Sequence, residues 1–433
     1  MKTITYKVEN EYGLHARNAA LLAQACVGMA TQITVRYNGA VANGSNVLQV
    51  LALQAVKGAK IEITAEGGDE DAALETVVRA LSAGDGNKKA VKLLKIAFYG
   101  TKEYDRLYFS ELAKERGEGT YNCEITYYDC RLTKWTAYLS KGFDAVCIFV
   151  NDECPREVVE ALKAYGVRLV LLRCAGFNNV DLKAAKECDI TVLRVPAYSP
   201  YAVAEHAMSI IMTANRRLHK AVNKVKDNNF DLSGLLGFDL HNKVAGIVGT
   251  GKIGQCMARI CKGFGMTVIA FDSYPNQRLV NEGLLSYVSK EELLEKADLV
   301  SLHAPLILGE GGTYHFIDEE AISKMKDTAM LVNTARGGLI DTEALIGALK
   351  RGKFHAVALD VYEGEDENVY TDHSFDFLDN DITARLQIFP NVVLTSHQAF
   401  FTREALQAIA AVTLENAKNF NEGLPYGDAE CKA

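Results

Sequence analysis

Apolar positions along this chain follow two rhythms. Near the start, strict alternation comes in short bursts, Thr3-Ile-Thr-Tyr-Lys-Val8, Thr31-Gln-Ile-Thr-Val-Arg-Tyr37 and Lys60-Ile-Glu-Ile-Thr-Ala65. This is the period-two signature of strands wet on one face. Ala16 to Cys26 carries apolar residues at helical spacing, Asn46 to Val56 reads as a short helix, and Ala72 to Leu81 follows Asp69 and Glu70 as a third. The pattern predicts a small α+β open-faced sandwich over residues 1–84, and Ser82-Ala-Gly-Asp-Gly-Asn-Lys-Lys89 has the composition of a linker.

From Ile96 onward the bursts become continuous apolar runs separated by helical stretches. Ile96–Tyr99, Glu124–Tyr127, Ala145–Val150, Arg168–Leu172 and Ile190–Leu193 form one series; Val244–Gly249, Thr267–Asp272, Leu299–Leu302, Ala329–Val332, Val357–Asp360 and Val392–Thr395 form another. Strands buried on both faces lose their alternation, and such strands alternating with helices imply parallel sheets with right-handed crossovers. The expectation is α/β: two doubly wound domains in succession, one flavodoxin-like and one Rossmann. The first spans 95–200 and is completed by 398–428, because the final helical stretch, Thr402 to Phe420, has only that domain to return to. The second spans 201–397, with a long helical pattern from Tyr201 to about Lys226 bridging the two.

The second series opens with Val244-Ala-Gly-Ile-Val-Gly249, continues through Gly249-Thr-Gly251-Lys-Ile-Gly254 and closes at Asp272. A buried strand delivering glycines to a helix start is the context a dinucleotide fingerprint requires. Gly249 serves the tight turn, Gly251 lets the backbone approach a pyrophosphate, and Gly254 allows close helix–strand packing. An acidic residue ending the next strand accepts ribose hydroxyls and repels a 2′-phosphate, so Asp272 favours NAD over NADP.

Composition narrows the setting. A net charge of −8 over 433 residues, with no long basic block, disfavours nucleic acid and anionic membranes. No targeting segment is visible, and the apolar runs are far short of a membrane span. Ten cysteines without a CxxC pair read as reduced thiols in a cytoplasmic protein, with no metal site expected.

In open parallel sheets the ligand crevice lies beyond the carboxyl ends of the strands, and three ionisable residues follow strand ends there. Arg336 offers a planar fork suited to a carboxylate and a ketone oxygen. His397 can donate a proton to that oxygen as hydride arrives, and Glu365 can orient the imidazole. Each taken singly has a bland reading, as a loop cap, a solvated acid and a turn histidine. Their joint position downstream of a dinucleotide site predicts an NAD-dependent oxidoreductase acting on a small anionic carbonyl. His303, which also ends a strand, is the rival general acid.

These residues resemble the D-isomer-specific 2-hydroxyacid dehydrogenases, and the fermentative D-lactate dehydrogenases among them. The matching segments are Leu172-Arg-Cys-Ala-Gly-Phe-Asn-Asn-Val-Asp181, Val195-Pro-Ala-Tyr-Ser-Pro200, Ala204-Glu-His206, the glycine fingerprint, Asn333-Thr-Ala-Arg-Gly-Gly338, Asp360-Val-Tyr-Glu-Gly-Glu365 and His397-Gln-Ala-Phe400. The resemblance implies that Arg336 binds carboxylate and carbonyl, Glu365 is the carboxylate partner and His397 the acid/base. It further implies that the backbone at Ala175 and Gly176 holds the substrate carboxylate while Tyr198 and Phe400 line the pocket. Cofactor contacts carry over to Lys252, Ile253, Asp272, Ala304, Pro305, Thr334, Ala335 and Asp360. Pro305-Leu-Ile-Leu-Gly-Glu-Gly-Gly-Thr313 is about two residues longer than in relatives and lacks their Asn, which makes Thr313 the substitute expected on the nicotinamide side.

Residues 1–82 are similar to the phosphocarrier HPr of the sugar phosphotransferase system, through Tyr12-Gly-Leu-His-Ala-Arg-Asn18, Tyr37-Asn-Gly39 and Lys57-Gly-Ala-Lys-Ile-Glu-Ile-Thr-Ala-Glu-Gly67. That similarity makes His15, just before a helix, the phosphorylated residue, Arg17 its charge partner and phosphotransferase-system enzymes its partners. Asn18 stands where the motif usually has proline, and Asn46 where relatives often carry a regulatory serine. The reading that results is a D-lactate dehydrogenase reducing pyruvate, homo-oligomeric and at its simplest a dimer, fused to an HPr-like domain for phosphotransfer or regulation. A dehydrogenase for larger 2-oxo acids, or a catalytically silent NAD(H)-sensing regulatory protein, are the alternatives.

Overall fold

A computed structural model describes residues 1–8, 13–26, 29, 31–84, 93–115, 121–365, 368–375 and 380–432. The chain divides into two compact units, Met1–Lys92 and Leu93–Ala433. Most of the linker-like stretch at 82–89 lies outside the described residues.

In the first unit β1 (Lys2–Lys7), β2 (Gln32–Tyr37), β3 (Ala40–Asn43) and β4 (Lys60–Glu66) form an antiparallel sheet in the order β1-β4-β2-β3. Alternation does the sorting: Ile61, Ile63 and Ala65 of β4 are buried while Lys60, Glu62 and Glu66 face out. Helices Ala16–Cys26, Val47–Ala52 and Glu70–Gly84 supply the rest of the core through Leu22, Val50, Val77 and Leu81. This is the expected open-faced sandwich with one strand more than the alternation predicts. β3 is the return arm of a hairpin turning at Asn38 (φ 48°) and Gly39 (φ 83°), and that Asn-Gly pair is the turn signal that reveals it.

The second unit holds two parallel sheets. β5 (Leu94–Phe98), β6 (Cys123–Tyr127), β7 (Ala145–Ile148), β8 (Leu169–Leu172) and β9 (Thr191–Arg194) run in the order β6-β5-β7-β8-β9. β10 (Val244–Val248), β11 (Thr267–Phe271), β12 (Ser286–Tyr287), β13 (Leu299–Leu302), β14 (Met330–Asn333), β15 (Ala356–Leu359) and β16 (Val392–Leu394) run in the order β12-β11-β10-β13-β14-β15-β16. Both orders reverse direction beside the first strand of their series, the switch point at which such sheets open a crevice. The α/β architecture predicted from the apolar runs is therefore present in both sheets.

Helix Arg403–Glu422 packs on helix Glu103–Glu115 and on β8 and β9 of the five-stranded sheet, through Ile409, Ala410 and Leu414. Helix Pro200–Asn215 packs against β14, β15 and helix Lys252–Gly263. The single long helix expected from Tyr201 to Lys226 is two, because Arg217 takes a left-handed backbone (φ 51°) and Leu218–Lys226 sets off anew. Arg217 is held there by a hydrogen bond from its Nη2 to the His355 carbonyl at 2.9 Å.

Candidate active site

At the end of β10 the chain turns at Gly249 (φ 87°) and enters helix Lys252–Gly263. A β-carbon on Gly249 would stand 2.8 Å from the Ala304 nitrogen, and one on Gly254 would stand 2.0 Å from the Gly249 carbonyl oxygen. Both glycines are fixed by close approach. A β-carbon on Gly251 would meet nothing within 4 Å, so the helix start faces open space with its unpaired N–H groups, as a pyrophosphate site needs.

Asp272 ends β11 beside this turn. One of its oxygens accepts from the Thr250 N–H (2.6 Å) and hydroxyl (2.8 Å), the other from the Tyr274 N–H (2.8 Å). The Thr250 hydroxyl also meets the Tyr287 hydroxyl at 2.8 Å. Partial burial opposes ionisation of Asp272, but these hydrogen bonds outweigh it and hold the carboxyl below its ordinary range. Thr250 and Tyr287 escape sequence reasoning, since Thr250 fills a variable position of the glycine pattern and Tyr287 lies outside it.

A cavity of about 400 Å³ lies between the two sheets of the second unit. Ala175, Gly176, Phe149, Tyr198 and Phe400 line it from one side; Ile253, Ala304, Pro305, Thr334, Ala335, Arg336 and His397 line it from the other. Among the described residues, buried polar atoms without a protein partner include His303 Nδ1 and Thr334 Oγ1, both on lining residues. Buried polar atoms ordinarily find partners, so this lining fits a polar molecule such as a nicotinamide-bearing cofactor.

Arg336 follows β14 on a loop braced by fully buried Asn333, whose side chain donates to the Arg336 carbonyl (2.8 Å) and accepts from the Ala335 N–H (3.0 Å). Its guanidinium lies directly on the loop after β8: a β-carbon on Gly176 would stand 2.5 Å from Nη2. That loop is held in turn by Arg194, which donates to the Ala175 carbonyl at 2.9 Å. A carboxylate reaching the Arg336 fork thus meets the Ala175–Gly176 backbone.

His397 Nδ1 lies 3.0 Å from Glu365 Oε1, and the second oxygen of Glu365 accepts from the Tyr362 N–H at 3.3 Å. Glu365 is buried, and this contact fixes the tautomer that leaves His397 Nε2 for other chemistry. The His397 backbone is left-handed (φ 48°), an uncommon state for a non-glycine residue that surroundings must over-determine. Asp360 supplies much of that. Fully buried, it accepts from the Thr395 hydroxyl (2.5 Å), the Gln398 N–H (2.9 Å), the Ala399 N–H (2.8 Å) and His206 Nε2 (3.2 Å). Burial alone would raise the Asp360 carboxyl; the donors override it and keep it below its usual range. Asp360 is therefore the floor under the His397 loop, and its oxygens are turned to that loop and to His206.

Two expectations change. The rival His303 lines the same cavity, but burial pushes its imidazole down to about 4 and its Nε2 pairs with the Ser301 hydroxyl at 2.7 Å. Near neutral pH it is therefore the uncharged imidazole and not the imidazolium that a general acid requires. The Thr313 hydroxyl donates to the Pro305 carbonyl (2.5 Å) and accepts from the Ile307 N–H (2.8 Å), so it braces its own loop and spends its proton there instead of serving a cofactor. Lys252 opens the fingerprint helix but is not among the cavity's lining residues.

In the first unit His15 ends the loop before helix Ala16–Cys26, its carbonyl accepting the Ala19 N–H at 3.0 Å. Gly13 (φ 70°) presses that loop against Ala55, and the Leu14 N–H bonds the Ala55 carbonyl at 2.8 Å. Asn18 is fully buried, and Asn46 caps helix Val47–Ala52 by accepting from the Leu48 and Gln49 N–H groups. The side chain of Arg17 lies outside the described residues. Among the described residues no cluster could hold a metal ion, and no helix is long and apolar enough to cross a membrane.

Residues 208–399 match the family model of the D-isomer specific 2-hydroxyacid dehydrogenase NAD-binding domain, and residues 2–83 match that of the PTS HPr component phosphorylation site. D-lactate dehydrogenase of Escherichia coli is 47% identical over 330 residues, 76% of this chain and 98% of that protein. Among solved structures, the pyruvate reductase of Chlamydomonas reinhardtii superposes with a TM-score of 0.72 at 39% identity, covering 78% of this chain and 99% of that one. D-2-hydroxyisocaproate dehydrogenase superposes at 0.68 with 32% identity, covering 78% of this chain and all of its own.

Proposed function

The chain belongs to the D-isomer-specific 2-hydroxyacid dehydrogenases, with an NAD-binding domain and an N-terminal HPr domain, and from that premise we propose that it reduces pyruvate to D-lactate. The observation that carries this is the Glu365–His397 pair, 3.0 Å apart, on the same cavity as the Arg336 fork seated on Gly176.

Bound NADH supplies the hydride. Gly249, Gly251 and Gly254 would admit its pyrophosphate at the helix start, Asp272 its ribose hydroxyls, and Ile253, Ala304, Pro305, Thr334 and Ala335 its nicotinamide half. Arg336 and the Ala175–Gly176 backbone hold the substrate carboxylate, and the same guanidinium polarises the ketone oxygen. His397 Nε2 gives that oxygen a proton, while Glu365 stabilises the imidazolium from Nδ1. Asp360 supports the loop from beneath. Tyr198 and Phe400 close the apolar end, which suits a methyl group.

Side-chain size is the discriminating variable against larger 2-oxo acids. Initial rates of NADH oxidation across 2-oxo acids of rising bulk test the assignment: pyruvate gives the highest kcat/KM here, and a maximum at a branched acid replaces pyruvate as substrate.

For the N-terminal unit we propose that His15 accepts a phosphoryl group from a phosphotransferase-system enzyme, supported by its place at a helix start that favours anions. The test is acid-labile label transferred from phosphoenolpyruvate by the general phosphotransferase enzyme, present in the parent and lost in His15→Ala. Absence of label in the parent leaves a docking or regulatory domain.

A further inference from the structure

Tyr370 belongs to a short loop that the sequence gives no reason to notice, within Asn368-Val-Tyr-Thr-Asp-His373. Its hydroxyl donates to the His397 carbonyl at 2.8 Å. Like His397, it is a non-glycine residue with a left-handed backbone (φ 62°). Its ring lines the substrate cavity, with centroids 5.5 Å from Phe149, 6.4 Å from Phe400 and 6.2 Å from His397.

The loop follows the seven-stranded sheet's β15 in sequence, yet it is tied to the five-stranded half. Lys102 Nζ donates to the Tyr370 carbonyl (3.2 Å), and Arg131 Nη2 donates to the Val369 carbonyl (3.3 Å) and the Thr371 hydroxyl (3.0 Å). Tyr370 therefore joins three things: the backbone of the acid/base residue, the aromatic wall of the cavity and an anchor on the opposite side of the cleft. His397 is already bonded through its N–H to the Asp360 carbonyl at 2.9 Å and through Nδ1 to Glu365. The Tyr370 hydroxyl restrains the remaining backbone polar group. Burial pushes that hydroxyl far above its ordinary range, so it stays a donor throughout the working pH range.

We propose that Tyr370 is a positioning and specificity-determining residue of this dehydrogenase: its hydroxyl sets the orientation of His397 relative to the substrate half, and its ring limits the size of the 2-oxo acid side chain. The proposal rests on the reading of His397 as the acid/base. Two consequences separate on substitution. Removing the hydroxyl alone disturbs proton delivery, which depends on placement to within about an ångström, but leaves carboxylate binding to Arg336 and Gly176 intact. Removing the ring opens the wall beside Phe149 and Phe400.

The test is steady-state kinetics of the full chain with NADH, using pyruvate and 2-oxoisocaproate, for the parent, Tyr370→Phe, Tyr370→Leu and His397→Asn. Tyr370→Phe is expected to lower kcat for pyruvate about tenfold with KM changed less than about twofold, as a positioning loss does and a binding loss does not. Tyr370→Leu is expected to raise the kcat/KM ratio of 2-oxoisocaproate to pyruvate about tenfold or more, a change of the size one or two methylenes carry in an apolar pocket. Affinity for NADH, followed by its fluorescence in every variant, is expected to stay at the parent value and shows that each is folded. Unchanged kcat in Tyr370→Phe overturns the positioning role, and an unchanged selectivity ratio in Tyr370→Leu overturns the size limit. If His397→Asn keeps parental turnover, or the parent reduces neither acid, the underlying acid/base reading fails with its own signature and takes the proposal with it.

Discussion

Gly176 and Arg336, 160 positions apart in the chain, are in such close contact that a β-carbon on the first would stand 2.5 Å from Nη2 of the second. Glycine is there for space, since the positive-φ residues do not include it. The guanidinium reaches the loop after β8 only because that side chain is missing. This contact brings a guanidinium fork from one sheet to the backbone of the other.

Gly176→Ala consequently displaces Arg336 without removing any charged group. The expected result is a loss of about 10²-fold in kcat/KM for pyruvate, the scale that ångström-level misplacement produces, with NADH affinity unchanged. Steady-state kinetics and NADH fluorescence titration check it. Parental kcat/KM would show that Arg336 binds the substrate from another position.

Glu365→Gln keeps the shape of the pair with His397 and removes its charge. Reduction of a ketone needs the protonated imidazole, which an adjacent carboxylate favours. Turnover of pyruvate is therefore expected to fall about tenfold in the variant, the factor that about 1.4 kcal/mol of lost imidazolium stabilisation supplies, with NADH affinity unchanged. Parental turnover would remove Glu365 from the proton-transfer unit.

Asp272 ends β11 beside the fingerprint turn as a carboxylate held in its ionised form by Thr250 and Tyr274, and the proposed function gives it the cofactor's ribose hydroxyls. A 2′-phosphate meets it as a like charge, so the parent is expected to prefer NADH to NADPH by about 10²-fold or more, and Asp272→Ala to narrow the ratio about tenfold, the factor that 1.4 kcal/mol of repulsion supplies. Equal use of both cofactors by the parent would place Asp272 elsewhere in the recognition.

What was legible in the sequence is what neighbours in the chain determine. The buried strands announce themselves as apolar runs, the fingerprint as glycines at fixed offsets, and Arg336, Glu365 and His397 as ionisable residues past strand ends. Contacts between distant segments left no local trace. The Gly176–Arg336 approach and the tie from Arg131 to the Tyr370 loop depend on how the two sheets face each other, and the Asp360 floor under His397 depends on the pairing of β15 with β16. Thr313 misled because composition shows a hydroxyl and not whether its own loop consumes it. β3 leaves little trace although Asn38-Gly39 marks its turn, because a four-residue strand barely alternates.

The central claim is that His397 delivers the proton in an NADH-dependent reduction of pyruvate that yields D-lactate. The most direct measurement is turnover of pyruvate with NADH by the parent and by His397→Ala, with the chirality of the lactate determined and NADH affinity measured on both proteins. The account predicts D-lactate from the parent, a loss of about 10²- to 10⁴-fold in kcat for the variant, as general acid catalysis is worth, and equal affinity for NADH. L-lactate, or undiminished turnover in His397→Ala, would contradict it.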